Sequence, residues 1–111
     1  RAEMSAIPEI TVDEVRDDLM LLDVREIDEW TAGHAPGAVH LALSELGGAT
    51  LEVEPGATVQ VICKVGGRSA QATAFLREQG IDAVNVYGGM LAWAAMGLDV
   101  VTDDGGPGRV A

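Results

Sequence analysis

The stretch "TVQVICKVGGRSAQATAFLREQGIDAVNV", residues 58–86, contains the pattern that decides the fold. It opens with β-forming residues at 58–63, continues with helix formers, and ends in a second β-forming run, "DAVNV". We predict that the helix begins at about Ser69 and ends before Gly80, because glycine suits the left-handed position that follows a helix. A strand, a helix and a second strand in this order are typical of a parallel sheet covered by helices.

The same alternation extends in both directions along the chain. "LMLLDV", residues 19–24, is nearly all apolar, as expected of a strand buried on both faces. Thr11 and Glu14 have the spacing of a capping box at the start of a short helix. The remaining predicted elements are a helix at 27–31, a strand at 38–41, a helical turn at 44–46 and a final helix that ends at Gly97. The sequence therefore predicts an α/β domain on a mainly parallel sheet.

Length and composition suggest one compact domain. The chain has 111 residues, 48% of them hydrophobic, which is enough for a modest core and too few for a second domain. We expect a single domain over residues 1–111 with an ordered core at about 7–101. Residues 102–111 are rich in glycine and polar side chains, and this composition predicts a mobile tail.

Charge and cysteine content narrow the functional classes. Eighteen acidic and seven basic residues give a formal net charge of -11, which argues against nucleic acid as a partner. One cysteine rules out an internal disulfide framework, and no secretory signal or apolar stretch of roughly 18 residues is visible. We therefore expect a cytoplasmic protein without a membrane partner. One cysteine and two histidines give no zinc-ligand pattern, so neither a metal nor another cofactor is expected.

The loop "CKVGGRS" carries the chain's only cysteine, Cys63, at the end of a predicted strand. Ligands of open parallel sheets bind at this edge, beyond the carboxyl ends of the strands. Gly66 and Gly67 allow successive N–H groups to point inward, and the following helix, Lys64 and Arg68 add positive potential that favours a thiolate. The sequence thus predicts a nucleophilic Cys63. The alternative is a small buried apolar side chain, which would need neither the glycines nor the cations.

Three motifs in order resemble the rhodanese-like sulfurtransferase family. They are "LLDVREIDEWTAGHAPGAVHLAL" at 21–43, "VICKVGGRSAQATAFL" at 61–76 and "VNVYGGMLAW" at 84–93. The resemblance runs from about residue 10 to 98. It implies a five-stranded, mainly parallel sheet flanked by helices, and a cysteine that carries a persulfide.

The resemblance also implies roles for individual residues. Cys63 would accept sulfur from thiosulfate or a similar donor and pass it to cyanide or a thiol in a two-step transfer. The absence of a second cysteine suits a carrier, because an internal thiol would discharge the persulfide as a disulfide. The residues expected to line the pocket around the terminal sulfur are Lys64, Val65, Gly66, Gly67, Arg68 and Ser69.

Further residues are expected to support this site. Asp23 and Arg25 match the family's Asp-Val-Arg, and we expect Asp23 to accept hydrogen bonds from the loop backbone or from Arg68. A surface ion pair of little energetic weight is the alternative. His34 lies in the Gly-His-x-Pro-Gly segment, where the family has a structural histidine. Trp93 is expected to be a core or pocket-wall aromatic that borders the site.

Two other functions remain open. Cysteine phosphatases and arsenate reductases also use a thiolate in an amide loop closed by arginine, but their loops place five residues between the two, whereas four separate Cys63 from Arg68. A tighter loop fits a single sulfur better than a phosphoryl group. The second alternative is a sulfur-relay or docking module that receives sulfur from a protein donor.

Overall fold

The computed structural model of the chain describes residues 7–111. Within them a single sheet has the strand order β1-β5-β4-β2-β3, and every neighbouring pair is parallel. The strands are β1 (Glu9–Ile10), β2 (Met20–Asp23), β3 (Val39–His40), β4 (Thr58–Ile62) and β5 (Asp82–Val86). The predicted α/β fold with a five-stranded parallel sheet is confirmed.

Helices alternate with these strands along the chain. They are α1 (Ile27–Ala32), α2 (Leu43–Leu46), α3 (Gly67–Glu78) and α4 (Gly89–Ala95), and Val12–Glu14 forms one turn of 3-10 helix. None of the helices within residues 7–111 has the length and apolar character needed to cross a bilayer. The alternation builds a sheet with a helical layer on each face.

The core lies on both faces of the sheet. Which face a strand residue packs on follows the two-residue alternation of side chains along the strand. Val59, Val61 and Cys63 belong to one buried cluster, which includes Leu46 of α2 and the α3 residues Ala72 and Leu76. Ile62, whose side chain points the other way, joins a second cluster with Met90 and Trp93 of α4. Burial on both faces explains why the strands read as nearly continuous apolar runs. Because Cys63 continues the alternation of β4, its side chain lies on the α3 side.

Element boundaries show where the sequence prediction was incomplete. The edge strand β1 was not predicted, because two residues are too few to show a period. The Thr11 capping box is present, with the Thr11 N–H donating to Glu14 Oε1 at 2.8 Å, but it begins only the 3-10 turn. Helix α3 begins at Gly67, two residues before the predicted start, and Gly80 follows it with φ +86° as expected.

The structure differs from the prediction of a free tail at residues 102–111. Val101 forms an antiparallel bridge with His34 on one side and with Pro107 on the other. The Arg109 N–H donates to the carbonyl of Ala32 at 3.0 Å, and a Cβ on Gly108 would lie only 2.8 Å from the Cα of Gly33. Because Gly108 has no side chain, the two backbones can approach each other closely. Residues 102–111 therefore pack against the end of α1.

Candidate active site

The carboxyl ends of three strands and the start of two helices meet around Cys63. The strand β4 ends at Ile62, which lies beside Asp23 at the end of β2, and the start of α4 approaches from β5. The Met90 N–H donates to the Cys63 carbonyl at 2.8 Å, and a Cβ on Gly89 would overlap that same carbonyl oxygen. The sequence prediction that Cys63 lies at the ligand-binding edge of the sheet agrees with this arrangement.

The Cys63 thiol is buried and accepts two hydrogen bonds from its own loop, residues 63–69, called here the Cys63 loop. The Gly66 N–H donates to Sγ at 3.1 Å, and the Ser69 hydroxyl donates at 3.2 Å. Burial alone would raise the pKa of Cys63, but the Ser69 hydroxyl and the N–H groups of Ser69, Gly66 and Val65 outweigh it and hold the pKa below its usual value. The arrangement favours a thiolate nucleophile.

The backbone of the Cys63 loop takes its shape from Gly66. This residue has φ +120°, a conformation that side chains with a Cβ rarely adopt, and it immediately precedes α3. The Asn85 side chain braces it from β5, since Nδ2 lies 3.3 Å from the Gly66 carbonyl oxygen and 2.9 Å from a carboxylate oxygen of Glu9. The Asn85 side chain thereby ties the Cys63 loop to β5 and, through Glu9, to β1.

The other predicted loop residues differ in exposure. Ser69 is fully buried, Lys64 is partly buried, and the Val65 side chain is 60% exposed. The hydrogen bonds around Sγ are the causes that lower the pKa of Cys63. The pKa of Arg68 is raised mainly by its hydrogen bonds to Glu29, with a smaller contribution from the Cys63 charge. Lys64 contributes a positive charge to the Cys63 loop, but within residues 7–111 its side chain makes no hydrogen bond to Sγ.

Arg68 is held by Glu29, a residue that the sequence analysis missed. Its Nη1 lies 2.7 Å from Glu29 Oε1 and its Nη2 lies 2.9 Å from Oε2, which makes a bidentate pair between the first turns of α3 and α1. The only sequence signal for Glu29 was its place in the first turn of a short predicted helix, where acidic residues are common. Nothing local linked it to an arginine 39 positions away.

Asp23 and Arg25 form an ion pair with no solvent exposure. Arg25 Nε and Nη2 donate to the Asp23 carboxylate, the latter at 2.8 Å, and Nη2 also donates to the Gly33 carbonyl at 2.8 Å. The expectation that Asp23 accepts hydrogen bonds from the loop backbone or from Arg68 is wrong. Within residues 7–111 its carboxylate accepts hydrogen bonds from Arg25 alone, and Arg68 donates to Glu29 instead. The alternative of a surface pair is also wrong. The pair joins the end of β2 to the end of α1.

The two remaining predicted residues lie away from the thiol. The His34 ring stacks on Trp30 with centroids 3.6 Å apart, and Nδ1 lies 2.9 Å from the Trp30 carbonyl oxygen. Trp93 donates its indole N–H to the Asp99 carbonyl at 2.7 Å and lines a surface groove of about 390 Å³ with Pro36. Both make structural contacts here, and the structure does not bring Trp93 to Cys63 Sγ.

Residues 7–111 contain no group of three His, Cys, Asp or Glu side chains arranged to hold a metal ion.

Comparison with known proteins gives a consistent result. The family model of the rhodanese-like domain matches residues 10–96. A sulfurtransferase of Allochromatium vinosum is 36% identical over 90 residues, covering 80% of this chain and 84% of that protein. A Bacillus subtilis protein provisionally named sulfur carrier protein YrkF is 36% identical over 96 residues, and the chain spans only 52% of its length. The crystal structure of a rhodanese-related protein from Thermoplasma volcanium matches with a TM-score of 0.79 and 31% identity, over 86% of this chain and 99% of that one.

Proposed function

The chain belongs to the rhodanese-like domain family, and on that premise we propose that it is a sulfurtransferase whose Cys63 carries sulfane sulfur as a persulfide. The observation that supports this most directly is the environment of the thiol, where Sγ accepts hydrogen bonds from the Gly66 N–H and the Ser69 hydroxyl. The names of the relatives, a sulfurtransferase and a sulfur carrier protein, agree with the proposal.

The proposed chemistry has two steps. The Cys63 thiolate attacks the outer sulfur of a donor such as thiosulfate, the donor S–S bond breaks, and sulfite leaves with the bonding electron pair. The loop N–H groups from Lys64 to Ser69 then hold the terminal sulfur of the persulfide. In the second step a thiolate or cyanide acceptor attacks that terminal sulfur, and the Cys63 thiolate is restored. Because the thiol is buried, a donor with a protruding terminal sulfur reaches it better than a tetrahedral phosphoryl group.

We propose thiosulfate as a small-molecule donor and cyanide or a thiol as the acceptor. Chemistry of this kind needs a reduced thiol, so a reducing compartment such as the cytoplasm is the setting that we propose. A relay role with a protein donor is the second candidate, because apolar side chains beside the Cys63 loop face solvent. Val65 is 60% exposed and Tyr87 64% exposed, and the neighbouring Leu91 is 46% exposed. Such side chains are suited to contact with a protein carrier.

The test is direct, because the chain has one cysteine. We expect the intact mass of the wild type to rise by about 32 Da after incubation with thiosulfate, and thiocyanate to form when cyanide is added. Cys63→Ser removes the nucleophile with little change in volume, so it is expected to show neither the mass gain nor turnover. Thiocyanate production by Cys63→Ser at the wild-type rate would contradict the covalent route. Loading of the wild type by a protein persulfide but not by thiosulfate would favour the relay.

A further inference from the structure

The cation nearest to the thiol along α3 is already paired. Both terminal nitrogens of Arg68 contact the two carboxylate oxygens of Glu29, at 2.7 and 2.9 Å. The Glu29 side chain is only 17% exposed and that of Arg68 is 35% exposed, so solvent screens this pair less than an open surface pair. An anionic donor that approaches Cys63 therefore meets a guanidinium whose charge is neutralised.

Glu29 is fixed in place by a second contact and remains ionised. Its Oε1 accepts the Glu26 N–H at 3.1 Å, at the start of α1. The hydrogen bonds from Arg68 outweigh partial burial, and with the Glu26 N–H they lower the pKa of Glu29 to about 2. Protonation near neutral pH thus cannot release Arg68, and only a competing anion could do so.

Two ion pairs lie at this end of the sheet. Asp23 neutralises Arg25, and Glu29 neutralises Arg68, which leaves Lys64 as the other cation of the Cys63 loop. Since the thiolate is stabilised mainly by hydrogen bonds, the site does not need a free arginine for its nucleophile. A dianionic donor, in contrast, needs added positive charge near the thiolate, because the two repel one another.

We propose that Glu29 determines donor specificity: by neutralising Arg68 it disfavours dianionic donors such as thiosulfate relative to hydropersulfides on uncharged carriers. This inference rests on the proposed sulfurtransferase function. For a hydropersulfide, the Cys63 thiolate attacks the outer SH sulfur, the S–S bond of the donor breaks, and the carrier leaves as a thiolate with the electron pair. Cys63 then holds the transferred sulfur and its proton, so no oxidant or reductant is required.

The first test needs no sulfur transfer. We would measure the alkylation rates of Cys63 with iodoacetate, an anion, and with iodoacetamide, its neutral counterpart, in wild type, Glu29→Gln and Asp28→Asn. Glu29→Gln is expected to raise the iodoacetate-to-iodoacetamide ratio by about three- to tenfold at low salt, with a smaller effect as salt is added. Asp28→Asn removes an equal charge from an exposed neighbour on α1 and is expected to change the ratio less than twofold.

A general loosening of the site would change both alkylation rates together, so the ratio isolates the charge effect. Arg68→Gln provides a second variant with the opposite sign, because it leaves Glu29 without its cation, and the ratio is expected to fall. An unchanged ratio in Glu29→Gln, or an equal rise in Asp28→Asn, would overturn the proposal. If Glu29→Gln does not fold, an unchanged or higher ratio in Arg68→Gln would overturn it.

The second test compares donors. In Glu29→Gln the KM for thiosulfate is expected to fall several-fold, whereas the KM for the hydropersulfide of 2-mercaptoethanol is expected to stay within twofold. Equal changes for both donors would overturn the specificity role of Glu29. Absence of sulfur loading in the wild type with either donor would instead contradict the proposed function, and the alkylation ratio would still decide whether Glu29 neutralises Arg68 at the thiol.

Discussion

The Ser69 hydroxyl lies 3.2 Å from Cys63 Sγ and is buried inside the first turn of α3. A buried thiolate without donors would be unfavourable, because burial penalises the charged form. The hydroxyl and the neighbouring N–H groups reverse that preference and lower the pKa of Cys63. Ser69 is therefore the residue whose side chain we expect to contribute most to the reactivity of the thiol.

Ser69→Ala removes the one side-chain hydrogen bond to Sγ that the structure shows within residues 7–111. The lowered pKa of Cys63 is expected to rise in this variant, so the iodoacetamide rate reaches half of its maximum at a higher pH. A hydrogen bond to a charged group contributes about 1.5–3 kcal/mol, so at pH values below the wild-type pKa of Cys63 the alkylation rate is expected to fall by about tenfold or more. Ser44→Ala, an exposed serine bonded to Glu26, is the control. A pH profile that coincides with that of the wild type would contradict this role.

At the scale of elements, the junction between β4 and α3 determines the shape of the site. Gly66 and Gly67 look equivalent in the sequence but differ in the structure. Gly66 has φ +120°, whereas Gly67 is the first residue of α3 and a Cβ there would meet nothing within 4 Å. The first glycine is needed for the backbone conformation of the Cys63 loop, and the second is not.

The two glycines form a matched pair of variants. Gly66→Ala is expected to lower the free energy of unfolding by about 1–3 kcal/mol, because alanine is strained at this φ, and to weaken the hydrogen bond from its N–H to Sγ. Gly67→Ala is expected to be neutral or stabilising by up to about 1 kcal/mol, because alanine favours the helix. Urea denaturation of both variants, with alkylation of Cys63 as a readout of the site, checks this. Equal losses of stability in the two variants would show that Gly66 has no special role.

At the scale of the whole molecule, the sequence predicted what depends on local periods and missed what depends on distant contacts. The strands around Cys63 and the end of α3 shortly before Gly80 were predictable, because apolar runs and a glycine that follows a helix are local signals. The pairing of Glu29 with Arg68 was not predictable, since it depends on how the first turns of α1 and α3 come together in the folded chain. The composition of residues 102–111 predicted a mobile tail, whereas the structure packs this segment against α1. Composition alone does not distinguish a glycine that allows two backbones to approach closely from a glycine in a flexible chain.

The C-terminal segment is expected to stabilise the whole domain and to brace the active site indirectly. Residues 102–111 supply the Gly108 N–H to the Val100 carbonyl at 2.8 Å and the Arg109 N–H to Ala32 at 3.0 Å, while Val110 packs against the core. They also cover Gly33, whose carbonyl accepts a hydrogen bond from the buried Arg25. Removing the segment therefore exposes backbone groups next to the Asp23–Arg25 pair.

Deleting residues 102–111 is expected to lower the free energy of unfolding by about 2–4 kcal/mol, from the loss of two or three hydrogen bonds and of the packing of the partly buried Val110. Gly108→Ala should reproduce part of this loss without shortening the chain, because its Cβ would lie 2.8 Å from the Gly33 Cα. Gly106→Ala is the matched control, since its Cβ would have contacts of 3.4 Å to side-chain oxygens only. Thermal and urea denaturation measure all three variants. If the deletion leaves stability unchanged, or if the two alanine variants behave alike, the segment does not hold the end of α1 as this packing requires.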